Sequence, residues 1–184
     1  MILMPAQQVE FLDTWHVSGL QGTGSTDYEV KNLALPVSHI VGYDGNRPPR
    51  TSLYQFPQFT LLVIGIGAVA LGIARAAINE LVRLAQSKRR INCTATLADR
   101  AHSHLEVARA EAALRSARAF YYQSIEAAWL VAETGEKVSI DQRRDIRLAT
   151  THAVEASIKT VDAMYTLGGG SAVYADSALQ RHFR

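Results

Sequence analysis

The chain has 184 residues, of which 48% are apolar and 20% charged, with a formal net charge of +2 at pH 7. That balance excludes a disordered polypeptide and suits one domain, or one domain plus part of another, with a core that needs no covalent staple. Basic residues are interleaved with acids, so no nucleic-acid partner is expected, and the single cysteine, Cys93, excludes an internal disulfide or a CxxC metal site and fits a reducing cytoplasm.

From the N-terminus, Met1 to Pro5 has neither the basic nor the apolar part of a secretory leader. Val9, Phe11, Trp15, Val17, Tyr28, Val30, Leu33 and Leu35 are strand formers, punctuated by turn glycines at Gly19, Gly22 and Gly24. Two or three strands do not make a stable sheet. Residues 1–46 therefore read as the remnant of a β domain whose other strands lie elsewhere. Residues 47–57 read as a linker, with Pro48 and Pro49 barring a helix and Pro57 suiting the first turn of the one that follows.

Three long helices are predicted within 58–184. The first spans about Gln58 to Lys88 and contains the apolar run Leu61 to Ile73. That run is shorter than the roughly 18 residues of a membrane span, so a buried helix and no membrane partner are expected. Gly65, Gly67 and Gly72 each weaken the helix and read as points of close approach by a neighbouring backbone. The second helix is predicted over about Thr96 to Glu133, with Leu97, Ala101, Leu105, Ala108 and Ala112 as its apolar face and Gly135 marking its end. The third opens on a capping box, Ser139 to Gln142. Ile146, Ala149, Ala153, Ala156, Thr160 and Met164 line its predicted buried face, and Gly168 stops it. Asp176 to Arg184 reads as the first turns of a fourth, incomplete helix. The fold class is mainly α: an antiparallel helical bundle preceded by a few strands.

Four constellations bear on chemistry. His102 and His104 are two apart on a helix and cannot share an ion, there is no HExxH, and His152 with Glu155 suits a solvated surface, so no metal site is predicted. Gly168, Gly169, Gly170 and Ser171 form a turn whose amides a phosphate or carbonyl can approach, or a plain helix stop. The basic run Lys88-Arg89-Arg90 complements a helix dipole, or binds a phosphate across a subunit interface. In the segment LQGTGS, Thr23 and Ser25 either close a β-turn or present hydroxyls to a flat polar ligand.

Taken in order, these segments resemble a family. DTWHVSGLQGTGSTDYEVKNLALP is similar to the end of the central β domain in the acyl-CoA dehydrogenase fold, in the version found in its flavin-dependent monooxygenase branch. LLVIGIGAVALGIARAAINELVRLA resembles the first helix of that fold's C-terminal domain, and YTLGGGSAVYADSALQRHFR its closing motif. The resemblance implies the C-terminal part of an oxidoreductase that uses reduced FMN or FAD and O2 to oxygenate an aromatic or other small organic substrate. It also implies a separate flavin reductase, a homotetramer, and a flavin lying between β domain and helices. Carried onto this chain, the cofactor-binding positions are Gly168, Gly169, Gly170 and Ser171 at the glycine turn, with Arg89, Arg90 and Ser25.

Two departures matter. No acidic residue occurs between Asp44 and Glu80, where some dehydrogenases of the fold carry their proton-abstracting glutamate. The resemblance puts the other position of that glutamate beyond Arg184, so the alternative, an FAD-dependent acyl-CoA dehydrogenase, is disfavoured and not excluded. The histidine of the monooxygenase branch is expected beyond Arg184, and His182 is not its substitute. No catalytic residue is assigned within the chain, which is expected to be inactive by itself. A non-catalytic oligomerisation module is the third reading.

Overall fold

The computed structural model describes residues 2–40, 51–89 and 91–184. They divide into two units, Met1–Pro49 and Arg50–Arg184.

The N-terminal unit contains one small antiparallel sheet. β1 (Glu10–Phe11) pairs with β2 (Tyr28–Glu29) in the register Glu10 opposite Glu29 and Phe11 opposite Tyr28. Two glutamates facing each other repel, and Lys31 bridges both at 2.8 and 3.2 Å. Between the strands the chain reverses through left-handed Leu20 and Gly24. The Trp15 indole donates to the Leu20 carbonyl at 3.1 Å, and the Thr23 hydroxyl donates to the same carbonyl at 2.8 Å. The other predicted strand formers in the described segment join no named strand.

The second unit is helical. Residues 51–57 belong to it: the 3-10 turn Ser52–Gln55 lies against the second helix, and Phe56 is buried beside Trp129. Pro48 and Pro49 of the predicted linker lie outside the described residues. α1 (Gln58–Ser87), α2 (Ala101–Glu133) and α3 (Ile140–Gly168) are long; α4 (Ala178–Phe183) is short. Contacts fix their directions. Gly67 meets Tyr121 while Arg75 meets Glu111, so α1 and α2 are antiparallel. Gly67 also meets Thr150, and Lys88 meets Gly168, so α1 and α3 run the same way. α3 packs against both α1 and α2 and carries the centre of the core.

The predicted face of α3 is buried at all six positions, from Ile146 to Met164. Its capping box forms, with Gln142 N donating to Ser139 Oγ at 3.2 Å and Ser139 N donating to Gln142 Oε1 at 2.9 Å.

α2 differs from expectation in two ways. It begins at Ala101, because the Asp99 carboxylate takes Thr96 N at 2.7 Å and its hydroxyl at 2.8 Å, while Leu97 N and Ala98 N donate back to Lys88 O and Ala85 O. Its buried face is Ser103, Ala110, Leu114, Ala117, Tyr121, Ser124, Ala128 and Ala132. Of the predicted face only Leu97, which precedes the helix, is buried.

α1 is not buried all round. Leu71, Ala74, Ala77, Ile78, Leu81 and Ala85 face the core, whereas Phe59, Leu62, Ile66 and Val69 are exposed, Phe59 by 82%. Because the helix continues well past Ile73, it is long and apolar enough by length and composition to cross a membrane, so the expected length objection does not hold. Its inner side nevertheless packs as a core helix does. Only Gly67 is required there: a Cβ would lie 2.7 Å from Tyr121 Cε2, a side chain rather than a backbone, while Gly65 and Gly72 have open space.

Candidate functional site

The glycine turn follows directly from the end of α3. Gly168 is the last helical residue and is buried, and a Cβ there would strike Leu179 Cδ1 at 2.7 Å and Ala172 Cβ at 3.0 Å. α4 therefore folds back over it only because it is glycine. Gly169 has φ +52° and ψ −145°, a conformation that side chains rarely adopt. Its N–H donates to the carbonyls of Tyr165 and Thr166. Gly170 is exposed with nothing within 4 Å of an added Cβ, so a ligand can approach this backbone.

α4 is held across the turn by aromatic and polar contacts. Tyr165 stacks on Phe183 at 4.2 Å between ring centres. The Gln180 amide satisfies three partners when its nitrogen faces Ala172 O (3.0 Å) and the Tyr165 hydroxyl (2.9 Å) and its oxygen faces Arg184 Nε (3.1 Å).

Beside the turn lies an open cleft of about 570 Å³, lined by Glu80, Arg83 and Leu84 of α1 and by Ser171, Tyr174, Asp176, Ser177 and Arg181, among others. Arg83 grips the Glu80 carboxylate in a fork, at 2.6 and 3.1 Å. That bond, aided by the nearby charges of Arg83, His182 and Arg181 against a cost of burial, lowers the Glu80 pKa. Glu80 is thus held as an ionised carboxylate, poorly suited to act as a base. The cleft can take a polar ligand carrying both donors and acceptors.

The predicted basic residues separate. The one that reaches the turn is Lys88, the C-cap of α1, whose ammonium donates to the Gly168 carbonyl. Partial burial pushes its pKa down. Arg89 is exposed and forms a main-chain bridge with Thr96; Arg90 lies outside the described residues. Ser25 belongs to the N-terminal unit, its hydroxyl 2.9 Å from that of Thr23. In the sequence Lys88 stands in a run that complements its own helix dipole or binds a phosphate across a subunit interface, with Arg89 and Arg90 as the expected cofactor contacts; Arg83 and Tyr174 were not among the expected site residues. A signal for Arg83 existed, since Glu80 and Arg83 share a helix face at i, i+3. Among the described residues no group of three or more His, Cys, Asp or Glu is placed to hold a metal ion.

The sequence of residues 64–184 matches the family described as acyl-CoA dehydrogenase, C-terminal domain. The chain belongs to that family. It is 35% identical, over 97% of its length and 46% of the relative's, to an indole-3-acetate monooxygenase of Pseudomonas putida. It is 30% identical, over 98% of its length and 46% of the relative's, to an indole-3-acetate monooxygenase of Acinetobacter baumannii. Among solved structures, XiaF from Streptomyces sp., in complex with FADH2 and glycerol, superposes with a TM-score of 0.87 at 19% identity, over 100% of this chain and 48% of that one. The acyl-CoA dehydrogenase fold read from the sequence is thereby confirmed. The chain spans about half the length of the curated relatives it matches.

Proposed function

We propose that this family member serves as the C-terminal part of the oxygenase component of a flavin-dependent monooxygenase acting on an aromatic substrate. The observation that carries the reading is the 35% identity to an indole-3-acetate monooxygenase, sustained over both units of the chain. The names of further relatives support a reduced flavin and a partner that supplies it: a flavin-dependent monooxygenase oxygenase subunit of Mycobacterium tuberculosis and an FADH2-dependent resorcinol hydroxylase oxygenase component of Rhizobium. FAD is favoured over FMN on those grounds.

The residues present fit the polar end of a flavin. Gly170 leaves the turn backbone open to approach. Ser171, Ser177 and two guanidiniums offer hydrogen bonds in the cleft. When bound, reduced flavin would supply the electrons that activate O2 for transfer of one oxygen atom to the substrate. The chain's own residues would bind and orient: Gly169, Gly170 and Ser171 at the turn, with Gly168 letting α4 close over it. Arg89 and Arg90, and separately Ser25 of the N-terminal unit, stay proposed flavin contacts on the family resemblance alone. Cytoplasmic location and assembly as a homotetramer belong to the same reading, and the exposed apolar side of α1 supports burial of that face in a larger body.

The acyl-CoA dehydrogenase alternative needs a carboxylate base, and the first acidic residue of α1, Glu80, is neutralised by Arg83. The test is to supply the oxygenase of which this chain is proposed to be the C-terminal part with photoreduced FAD or FMN, O2 and indole-3-acetate, and to look for an oxygenated product by mass spectrometry. Product that depends on reduced flavin is expected. Desaturation of an acyl-CoA with no oxygenation would overturn the reading.

A further inference from the structure

The glycine turn stands at an electrostatically unfavourable place for the ligand just proposed. It follows the C-terminus of α3, a helix of 29 residues. A helix C-terminus carries roughly half a negative charge, and phosphates ordinarily settle at the opposite end. The neighbouring cleft does not correct this, because the charges of Arg83 and Arg181 are matched by those of Glu80 and Asp176. Something else must turn the local field positive if a phosphoryl group is to rest on Gly169–Ser171.

Lys88 is built into that position. Its backbone is pinned on both sides: its N–H donates to Leu84 O at 3.0 Å, and its carbonyl accepts from Leu97 N at 2.8 Å. From there the half-buried side chain crosses to another helix and donates to the Gly168 carbonyl, the last of α3. Its Nζ lies 3.5 Å from where a Cβ of Gly169 would be. An ammonium has three donors, and one serves this carbonyl, leaving two for an anion at the turn.

We propose that Lys88 is a positioning residue whose ammonium, seated on the Gly168 carbonyl, offsets the end of α3 and makes the Gly169–Ser171 turn receptive to the phosphoryl group of the flavin. This rests on the flavin reading above; the turn belongs to that reading, and the role of Lys88 is the addition. Lysine is a point charge with rotatable donors, which suits a carbonyl on one side and a phosphate on the other. A cap with a purely structural role would hold the turn equally well for a ligand without phosphate.

The test compares wild type, Lys88→Met and Lys88→Arg by fluorescence titration with riboflavin, FMN and FAD, with circular-dichroism melts to show that each protein is folded. Loss of about tenfold in affinity for FMN and FAD is expected in Lys88→Met, with riboflavin unchanged and most affinity retained in Lys88→Arg. Equal loss for all three flavins, or none for the phosphorylated pair, overturns the role of Lys88 while the flavin reading stands. Wild type that binds no flavin overturns the flavin reading for this chain. Phosphorus NMR with inorganic pyrophosphate then decides the inference by itself. Line broadening by wild type that disappears in Lys88→Met upholds it, and no broadening by wild type refutes it.

Discussion

Replacing Gly67 with alanine tests the packing of α1 most directly. The new Cβ would sit 2.7 Å from Tyr121 Cε2 and 3.0 Å from Thr150 Cγ2, inside the separation of about 3.5–4.0 Å at which carbon atoms rest. Neither neighbour yields easily. Tyr121 is 1% exposed and its hydroxyl donates to Ile64 O at 2.5 Å, while Thr150 is buried and donates to Ile146 O at 2.7 Å. Alanine gains about 1 kcal/mol of helix propensity over glycine. Overpacking costs about 1–3 kcal/mol. Steric cost should win, leaving Gly67→Ala up to about 2 kcal/mol less stable than wild type. Gly65→Ala and Gly72→Ala meet nothing within 4 Å and should gain up to about 1 kcal/mol each. Urea unfolding followed by circular dichroism reads the gap of about 1–3 kcal/mol between the two classes. If Gly67→Ala proves as stable as Gly65→Ala, the close contact of α1 with Tyr121 does not exist.

Four further outcomes are expected. The Glu111 carboxylate is drawn down to about 2 from an ordinary 4.5, first by its hydrogen bond from Arg75 and then by that from Arg115, with burial opposing. A lowered carboxylate pKa gives stability that is complete above about 4.5 and lost as the pH falls toward about 2, so acid unfolding of Glu111→Gln should show a flatter slope across that window. Ser139→Ala removes the capping box of α3 and should cost about 1 kcal/mol in thermal or urea unfolding. Thr160 Oγ1 is buried without a partner, so the nearly isosteric Thr160→Val should be neutral or up to about 1 kcal/mol more stable; a loss of stability would reveal an undetected bond. Gly169→Ala has room but the wrong backbone geometry, and should cost about 1–3 kcal/mol by the same measurement.

The elements that were legible in the sequence are those with contrast. On α3, apolar and small residues recur among Arg, Asp, Glu and Lys, so only one face could be buried, and the capping box marked its start. α2 lacks that contrast. Alanine lies all round it, and two of the positions that go inward are Ser103 and Ser124, whose polarity disguises a face selected for small size. Its first turn was lost to Asp99, whose local bonds to Thr96 compete with helix. Of the candidate site, the glycine turn was visible as a run of residues, and its chemistry followed from the family resemblance. What no spacing could show was that Lys88 reaches a helix 80 residues further along, because that depends on α1 and α3 ending side by side.

The uncovered side of α1 has a consequence at the bench. Phe59, Leu62, Ile66, Val69 and Ile73 recur at alternating intervals of three and four, forming a ribbon of wetted hydrocarbon with no charge to repel a neighbour. Preparations of the chain by itself should therefore turn sticky as they are concentrated, and a mild detergent or a glutamate at Ile66 should keep them clear.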